Sequence, residues 1–409
     1  MRLGIFMIFW MVFPFLYSQT VVDNGNAPGK YEINFVEDLR FGMDEDRDEF
    51  IWPDPATKVI PSSKGYMYIV DPQENRIMEF NPNGEYVRMV AAPGQGPGEL
   101  IGIKGFTILA DGTAIAVDGP IFADQKLILF DSKLKFVKEF RQPTVKFVPQ
   151  TSLFAPDGKH FFTMMINRGG ESGKVILQNC ILRTDDFQVK VNVSQAIRPL
   201  GDDDFAKTWR DFIVWQLQMN FGGFGVASFD TDGHLYTAMS NRYEITKWRP
   251  NLQGKALVIK RDHKPVVRSE EHVTALVDFF CEGLSFSNAM RELFTPAFKK
   301  DILKRADAGP VKNPIFGLIG MEDGRLMVIH DVDYVTRKNV ADIFSAEGVY
   351  LGQTLFNDSA LLGQEDNFET RMTFKNGFAY SAITDEDGDN RAVRYRYQLK
   401  PVARGKASE

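Results

Sequence analysis

Cysteine and histidine are scarce in this sequence. Its 409 residues include two cysteines, Cys180 and Cys281, and five histidines. The histidines show neither the His-x-His nor the His-Glu-x-x-His spacing of zinc sites. An oxidising compartment would permit a disulfide between the two cysteines, but we prefer two buried free thiols as the interpretation. Stability is therefore expected to come from the packing of a core.

Basic clusters, nucleophile motifs and long apolar runs are also few. The net charge is −6 and no Lys/Arg run stands out, so we expect no nucleic-acid partner. No Gly-x-Ser-x-Gly elbow is present, which leaves nucleophilic catalysis without support. An apolar run from Leu3 to Tyr17 follows Arg2 and is shorter than the about 20 residues of a membrane span. It predicts a signal peptide over residues 1–18 and a secreted or periplasmic protein, with an uncleaved membrane anchor as the alternative.

A short β-rich run follows a glycine at six places along the chain. A partner strand follows each run, which predicts a series of antiparallel sheets and an all-β, six-bladed β-propeller over residues 31–400. A linker over residues 19–30 and a tail over 401–409 flank it. The sixth unit lacks one strand, and Tyr31 to Phe35 alternates apolar and polar residues as that strand should. The register between residues 142 and 195 stays open. The six glycines are Gly65, Gly112, Gly158, Gly233, Gly324 and Gly377.

The best-formed copy of the repeat runs from Gly65 to Leu100. Its motif is carried by Tyr68-Ile69-Val70-Asp71, Asn75-Arg76-Ile77, Asn83-Gly84 and the glycine-rich tail that ends at Leu100. This pattern resembles the NHL repeat, a β-propeller blade, and the chain is most similar to the exported six-bladed propeller proteins of bacteria. The resemblance implies a fold and export. It implies little about activity, because propellers host many unrelated functions.

Two long insertions separate blades, at residues 195–222 and 269–308. In the first, apolar residues at near-helical spacing follow three consecutive aspartates, which predicts an amphipathic helix. In the second, Ser269 can cap a helix, and Thr295-Pro296 can start another that Gly309-Pro310 would stop. Both insertions follow an outermost strand and precede the next innermost strand, so we expect both on one face of the propeller.

Acidic residues are frequent in the loops between second and third strands on that same face. Carboxylates that converge near a central channel could bind Ca²⁺, which takes six to eight oxygen ligands. The alternative is ordinary turn chemistry, in which Asp and Asn side chains bond to nearby backbone. The candidate ligands for a metal or another ligand are Asp71, Asp118, His330, Asp331, Asp333 and Asp385.

Four aromatic residues border the first insertion. They could line an apolar or sugar-stacking pocket, although insertion helices also need apolar residues to dock, and docking is the interpretation we prefer. These pocket candidates are Trp209, Trp215, Phe221 and Phe224.

The sequence therefore favours an exported binding module with no established cofactor. We expect it to hold a small molecule, a glycan or a protein segment at the central channel and the capped face, and to be a monomer without a stable membrane span after signal cleavage. The alternative is a Ca²⁺-dependent hydrolase or lactonase, or a lyase, similar to enzymes built on six-bladed propellers. A purely structural scaffold is the third possibility.

Overall fold

The computed structural model describes residues 20–42, 58–119, 125–141, 147–168, 174–199, 205–283, 288–306, 311–333, 338–356, 372–384 and 390–402. Strands dominate these ranges. Most strands pair antiparallel with the next one along the chain, as the repeated turns predicted. The first two strands are exceptions and join blades from late in the sequence; they are β1 (Thr20–Asp23) and β2 (Tyr31–Phe41).

The first three blades are four-stranded meanders, in each of which the chain runs from the innermost strand to the outermost. Blade 1 comprises β3 (Lys58–Pro61), β4 (Met67–Asp71), β5 (Arg76–Phe80) and β6 (Tyr86–Ala91). Blade 2 comprises β7 (Ile103–Ile108), β8 (Ala114–Asp118), β9 (Lys126–Phe130) and β10 (Phe136–Arg141). Blade 3 has the longer strands β11 (Phe147–Phe154), β12 (His160–Arg168), β13 (Lys174–Arg183) and β14 (Val189–Pro199).

The next three blades follow the same plan. Blade 4 comprises β15 (Gly225–Phe229), β16 (Leu235–Met239), β17 (Glu244–Trp248) and β18 (Lys255–Lys260). Blade 5 comprises β19 (Gly317–Gly320), β20 (Leu326–Asp333), β21 (Lys338–Phe344) and β22 (Tyr350–Phe356). Blade 6 comprises β23 (Thr373–Lys375), β24 (Phe378–Thr384) and β25 (Asn390–Pro401), with β2 as its outer strand. The predicted six-bladed β-propeller is confirmed.

The six predicted glycine turns connect the first and second strands of the blades. At all six glycines φ lies between 67° and 86°, a left-handed conformation that L side chains adopt at a cost. Each turn can therefore reverse the chain within a few residues, which explains why these glycines mark the blades in the sequence.

The N-terminal segment closes the ring. Strand β2 pairs antiparallel with β25 from Tyr31↔Pro401 to Phe41↔Ala392, so the prediction that this segment supplies the missing strand is confirmed. The expected linker over residues 19–30 is wrong in part, because β1 pairs in parallel with β18 and adds a fifth strand to blade 4. The N-terminal segment thus crosses the outer edges of blades 4, 5 and 6. We call residues 20–41 the closing segment.

Apolar clusters lie between every pair of neighbouring blades. The cluster between blades 4 and 5 is large and includes Tyr236, Val328 and Phe344, each 1% exposed or less. In the described part of the chain, the cluster between blades 3 and 4 is the smallest. Its fully buried members are Phe162, Ile181, Ala227 and Leu235. The two boundaries of blade 4 therefore differ in how much core they share.

Both insertions are helical and pack against each other. The first forms α1 (Phe205–Gly222), and the second forms α2 (Glu270–Gly283), α3 (Asn288–Leu293) and α4 (Pro296–Arg305). The shared core of α1, α2 and α4 includes Leu217, Val277 and Ile302, which confirms that the insertions lie on one face. The first insertion begins later than expected, because β14 continues to Pro199. Among the described residues, no helix has the length and apolar character needed to cross a membrane.

The predicted helix caps are present in the second insertion. The Ser269 hydroxyl accepts the backbone N–H of His272 at 3.1 Å, and the Thr295 hydroxyl accepts that of Phe298 at 3.2 Å. The expected stop at residues 309 and 310 lies outside the described residues. The cysteines are buried free thiols, as preferred, and burial raises the pKa of Cys180 to about 12.

Candidate functional site

Ser240 joins the two insertions to the propeller. It lies in the loop between β16 and β17 and is fully buried. Its hydroxyl accepts the backbone N–H of Phe224 at 2.9 Å and the side-chain amide of Asn313 at 3.1 Å. Its carbonyl accepts the N–H of Ile315 at 3.0 Å. These are the points where the chain returns from α1 and from α4, so one serine positions both helical insertions over blades 4 and 5.

Asp71 is engaged within its own turn. One carboxylate oxygen accepts hydrogen bonds from the backbone N–H groups of Gln73 and Glu74 at 3.1 Å each. The other oxygen accepts a hydrogen bond from the Nε–H of Arg76 at 3.0 Å. The carboxylate is fully buried. This arrangement corresponds to the turn interpretation of the acidic loops.

Asp118 holds the connection between blades 1 and 2. Its Oδ1 accepts the backbone N–H groups of Ile101 at 3.0 Å and Gly102 at 2.9 Å, while Oδ2 lies 3.7 Å from Nζ of Lys126. Within the ranges that the structure describes, no group of three or more His, Cys, Asp or Glu side chains is arranged to hold a metal ion. A metal role for the predicted acids stays a prediction.

The side chains of the other three predicted acids are not among those that the structure describes. Asp331 and Asp333 belong to the end of β20, but their side chains are outside the described set, and Asp385 lies outside the described residues altogether. The remaining predicted ligand, His330, is well described. It lies within β20 at a β-bulge, where the register with β21 shifts between Ile329 and Asp331.

At this bulge the side chain of His330 lies within a buried polar cluster, at the boundary of blades 4 and 5. Its Nε2 lies 3.4 Å from Oδ1 of Asp342 and 3.3 Å from the side-chain nitrogen of Gln353. Its Nδ1 is buried and has no hydrogen-bond partner in the described part of the chain. The ring of His263 lies edge-on at 5.1 Å between centroids.

Asp342 is the centre of this cluster. Its carboxylate is 1% exposed and accepts hydrogen bonds from the Tyr243 hydroxyl at 2.5 Å and from Gln353 at 3.0 Å, and Nε of Arg261 lies at 3.1 Å. Burial alone would raise the pKa of Asp342, but His330, Tyr243 and Arg261 outweigh it and lower that pKa. Burial, followed by the charge of Asp342, raises the pKa of Tyr243 well above its ordinary value.

The cluster links blades 4 and 5 through hydrogen bonds and ion pairs to one carboxylate. Asp342 and His330 come from blade 5, whereas Tyr243 and Arg261 come from blade 4. The Arg261 guanidinium also stacks on the Tyr350 ring at 3.4 Å from its centroid. Every oxygen of Asp342 is used by protein groups, so we assign no substrate to it. Sequence reasoning identified His330 but missed its partners, because they come from four different strands and loops.

The aromatic pocket candidates divide into docked and undescribed side chains. Trp209 packs against Phe212 at 5.5 Å between ring centroids, within the helical cluster. Phe224 is 1% exposed and contacts Phe316 at 6.3 Å in the core of blades 4 and 5. Trp209 is thus packed among the insertion helices, as the docking interpretation expects, whereas Phe224 is part of the propeller core. The side chains of Trp215 and Phe221 are outside the described set.

A cavity of about 240 Å³ lies on the axis of the propeller. Residues from the innermost strands of all six blades line it, and most of them are apolar, such as Phe106, Phe229 and Phe374. Two cationic side chains, Lys58 and Lys375, also line it. These positions correspond to the central channel predicted as a binding site, and the lining residues converge although they are far apart in sequence.

A family model described as a 6-bladed beta-propeller matches residues 48–187. The match covers blades 1 and 2 and most of blade 3, and it agrees with the architecture of the whole chain. The closer assignment to NHL repeats stays a prediction. No curated protein matches this chain.

Solved structures with a similar fold come from several bacteria. A member of the DUF4221 family from Bacteroides vulgatus has 10% sequence identity and a TM-score of 0.50, and the alignment covers 91% of this chain and 99% of that one. A candidate exported protein from Bacteroides fragilis has 12% identity and a TM-score of 0.47, with 92% and 98% coverage. Virginiamycin B lyase from Staphylococcus aureus has 11% identity and a TM-score of 0.37, with 89% and 99% coverage. At such identities the likeness concerns the fold alone.

Proposed function

We propose that this six-bladed β-propeller is an exported binding protein that holds a small molecule in its central channel. The axial cavity carries this proposal, because all six blades contribute to its lining. Ligand pockets are typically concave and mainly apolar with a few polar groups that orient the ligand. The apolar leader between Leu3 and Tyr17 supports export.

The size of the cavity favours a small molecule over a glycan or a protein segment. At about 240 Å³ it lies just below the roughly 300–1,000 Å³ typical of pockets for drug-sized ligands. An oligosaccharide or a peptide would therefore extend out of the channel, whereas a compact molecule would be enclosed.

The charges at the channel favour an acidic ligand. Asp230 lines the channel, but its carboxylate accepts backbone N–H groups of its own turn and contacts His234 and the Tyr236 hydroxyl. Lys375 is half-buried and forms no ion pair with any described residue. A molecule with an apolar body and one carboxylate would match this lining.

The test measures thermal unfolding with benzoate, phenylacetate and other small monocarboxylates, and with their neutral amides. A ligand at a hundredfold its dissociation constant adds about 2.7 kcal/mol to the free energy of unfolding, which raises the midpoint measurably. We expect acids to raise it more than amides. Thr107→Leu, which narrows the channel, should abolish the rise, whereas Thr274→Leu on the surface of α2 should not.

A second pair of variants tests the acidic group. Lys375→Ala should remove the preference for acids over amides, whereas the exposed Lys133→Ala should leave it intact. If neither acids nor amides raise the midpoint, or if Thr107→Leu responds as the unmodified protein does, the channel proposal is wrong.

Calcium provides the test for the alternative, a metal-dependent hydrolase or lactonase. A rise of the midpoint with Ca²⁺ that chelation reverses and that Asp331→Asn with Asp333→Asn abolishes would favour that enzyme over a binding protein. A midpoint unaffected by Ca²⁺ and by chelation would remove the calcium-dependent alternative.

A further inference from the structure

A groove separates the outer parts of blades 3 and 4. It comprises two adjoining cavities of about 220 and 530 Å³, which share Val191, Asn192 and Trp248. Strand β14 forms one wall and β17 forms the other, while β16 contributes the floor through Thr237 and its neighbours. The described core that these two blades share is small, and β14 contacts β15 and β16 of blade 4 beneath the groove. We call this feature the blade 3–4 groove.

Trp248 is held in a fixed orientation inside the groove. Its indole N–H donates to the Thr237 hydroxyl at 2.9 Å, so the only polar atom of the ring is already satisfied by the protein. The ring also packs against the core of blades 3 and 4, and Nζ of Lys255 lies 5.5 Å from its centroid. The part of the ring that lines both cavities is apolar and is the surface that a ligand can contact. Sugar rings carry apolar C–H groups on one face and hydroxyls around the edge, so an aromatic face flanked by polar side chains fits a pyranose.

Polar groups flank this aromatic surface along its length. Asn192 and Asn251 are exposed and offer amide donors and acceptors. His160 lines the same end, and burial lowers its pKa, which keeps the imidazole neutral near pH 7. Asn251 and Leu252 both have positive φ, at 56° and 58°, in the turn that ends this wall of the groove. Asn adopts this conformation readily, so Leu252 is the strained residue of the turn.

The free charges in the groove are positive. Lys190 and Arg242 are exposed and line opposite ends, and neither forms an ion pair within the described ranges. The one carboxylate of the lining, Glu244, is paired with Lys260 at 3.0 Å. A ligand with negative charges spaced along a chain would complement this arrangement.

We propose that the blade 3–4 groove binds an acidic oligosaccharide, with a sugar ring stacked on Trp248 and carboxylates near Lys190 and Arg242. From Glu244 to Trp248 the wall spans roughly 13 Å at about 3.3 Å per strand residue, so several linked sugars can lie along it. The site is separate from the central channel and does not depend on the function proposed there.

Isothermal titration with oligogalacturonate tests the proposal, with the methyl-esterified oligosaccharide of equal length as the neutral probe. We expect the acidic form to bind and the ester to bind at least about tenfold more weakly, with the acidic form also losing affinity as salt is added. Trp248→Ala should reduce affinity by about tenfold or more, as is usual for a central aromatic anchor.

Charge reversal keeps the proposal testable if Trp248→Ala fails to fold. Arg242→Glu and Lys190→Glu change exposed side chains and should each weaken binding, whereas Arg141→Glu, an exposed arginine on blade 2, should not. Equal binding of the acid and the ester would overturn the acidic specificity. An absence of binding, or unchanged affinity in the groove variants, would overturn the site itself. Thr107→Leu should leave this binding intact, which separates it from the channel.

Discussion

Blade 4 meets its two neighbours in opposite ways. Towards blade 5 it shares a large apolar core and a buried carboxylate that four side chains surround, and β1 covers the outer edge. Towards blade 3 it shares a small core and leaves the blade 3–4 groove open. The same repeat thus supports a sealed boundary or an open one. The two boundaries differ at the outer strands, because the inner strands of all blades must stay close enough to form the ring.

Replacement of Asp342, at the sealed boundary with blade 5, should reduce the free energy of unfolding the most. Asp342→Ala leaves the Arg261 side chain, which is 13% exposed, without its carboxylate partner, and it removes the acceptor of Tyr243. Breaking a largely buried ion pair in this way costs about 3–5 kcal/mol. We expect a loss of that size in the free energy of unfolding, measured by urea denaturation. The matched control is Asp323→Ala in the same blade, whose ion pair with Arg325 is more exposed and should cost about 1 kcal/mol or less. Equal losses would mean that the sealed boundary does not depend on the cluster.

Tyr243→Phe should have an intermediate effect. It removes one hydrogen bond to a charged acceptor, which is worth about 1.5–3 kcal/mol. The pKa of Tyr243 is raised in the folded protein, so its stabilisation is fully present below the ordinary value near 10 and is lost as the pH rises above it. Unfolding measured between pH 7 and 11 should therefore show the difference between Tyr243→Phe and the unmodified protein narrowing above pH 10. A difference that stays constant would contradict the buried, neutral state of this hydroxyl.

A substitution at the open boundary, Val191→Ala, should have the smallest effect on the free energy of unfolding. Val191 is half-buried on the groove wall, and Val191→Ala removes apolar contacts that are already partly exposed to water. We expect a loss of about 1 kcal/mol or less by urea denaturation. The control is Val328→Ala, a fully buried residue of the sealed boundary, which should lose about 2 kcal/mol or more. If Val191→Ala costs as much as Val328→Ala, the groove is not an open boundary.

Features that repeat along the chain could be predicted, and features between blades could not. The glycine turns, the strand order and the closing role of Tyr31 to Phe35 follow from local pattern and from counting strands. Asp71 and Asp118 were identified as polar loop residues, but their bonding to nearby backbone and to basic side chains is visible only once the chain is folded. His330 was predicted as a candidate ligand beside the acidic loops, whereas its surroundings come from a bulge and from Asp342 on the next strand.

The candidate sites depend on distances between blades, which no local pattern encodes. Trp248 is one aromatic residue in a β-rich segment, and nothing in the sequence near it indicates that β14 and β17 line a common groove. The same holds for the axial cavity, whose lining is collected from six distant segments. The start of the first insertion was misplaced for a related reason, because β14 is longer than the outer strands of blades 1 and 2.

The closing segment has a consequence for how the protein is made. Strand β2 leaves the ribosome early, while its partner β25 is among the last parts to be synthesised. Until then the ring has two open sheet edges, and pairing over so great a sequence separation is slow. A chain cut short before residue 390 would keep those edges unpaired. Truncated copies should consequently be prone to aggregation and degradation, so that only chains that include β25 persist.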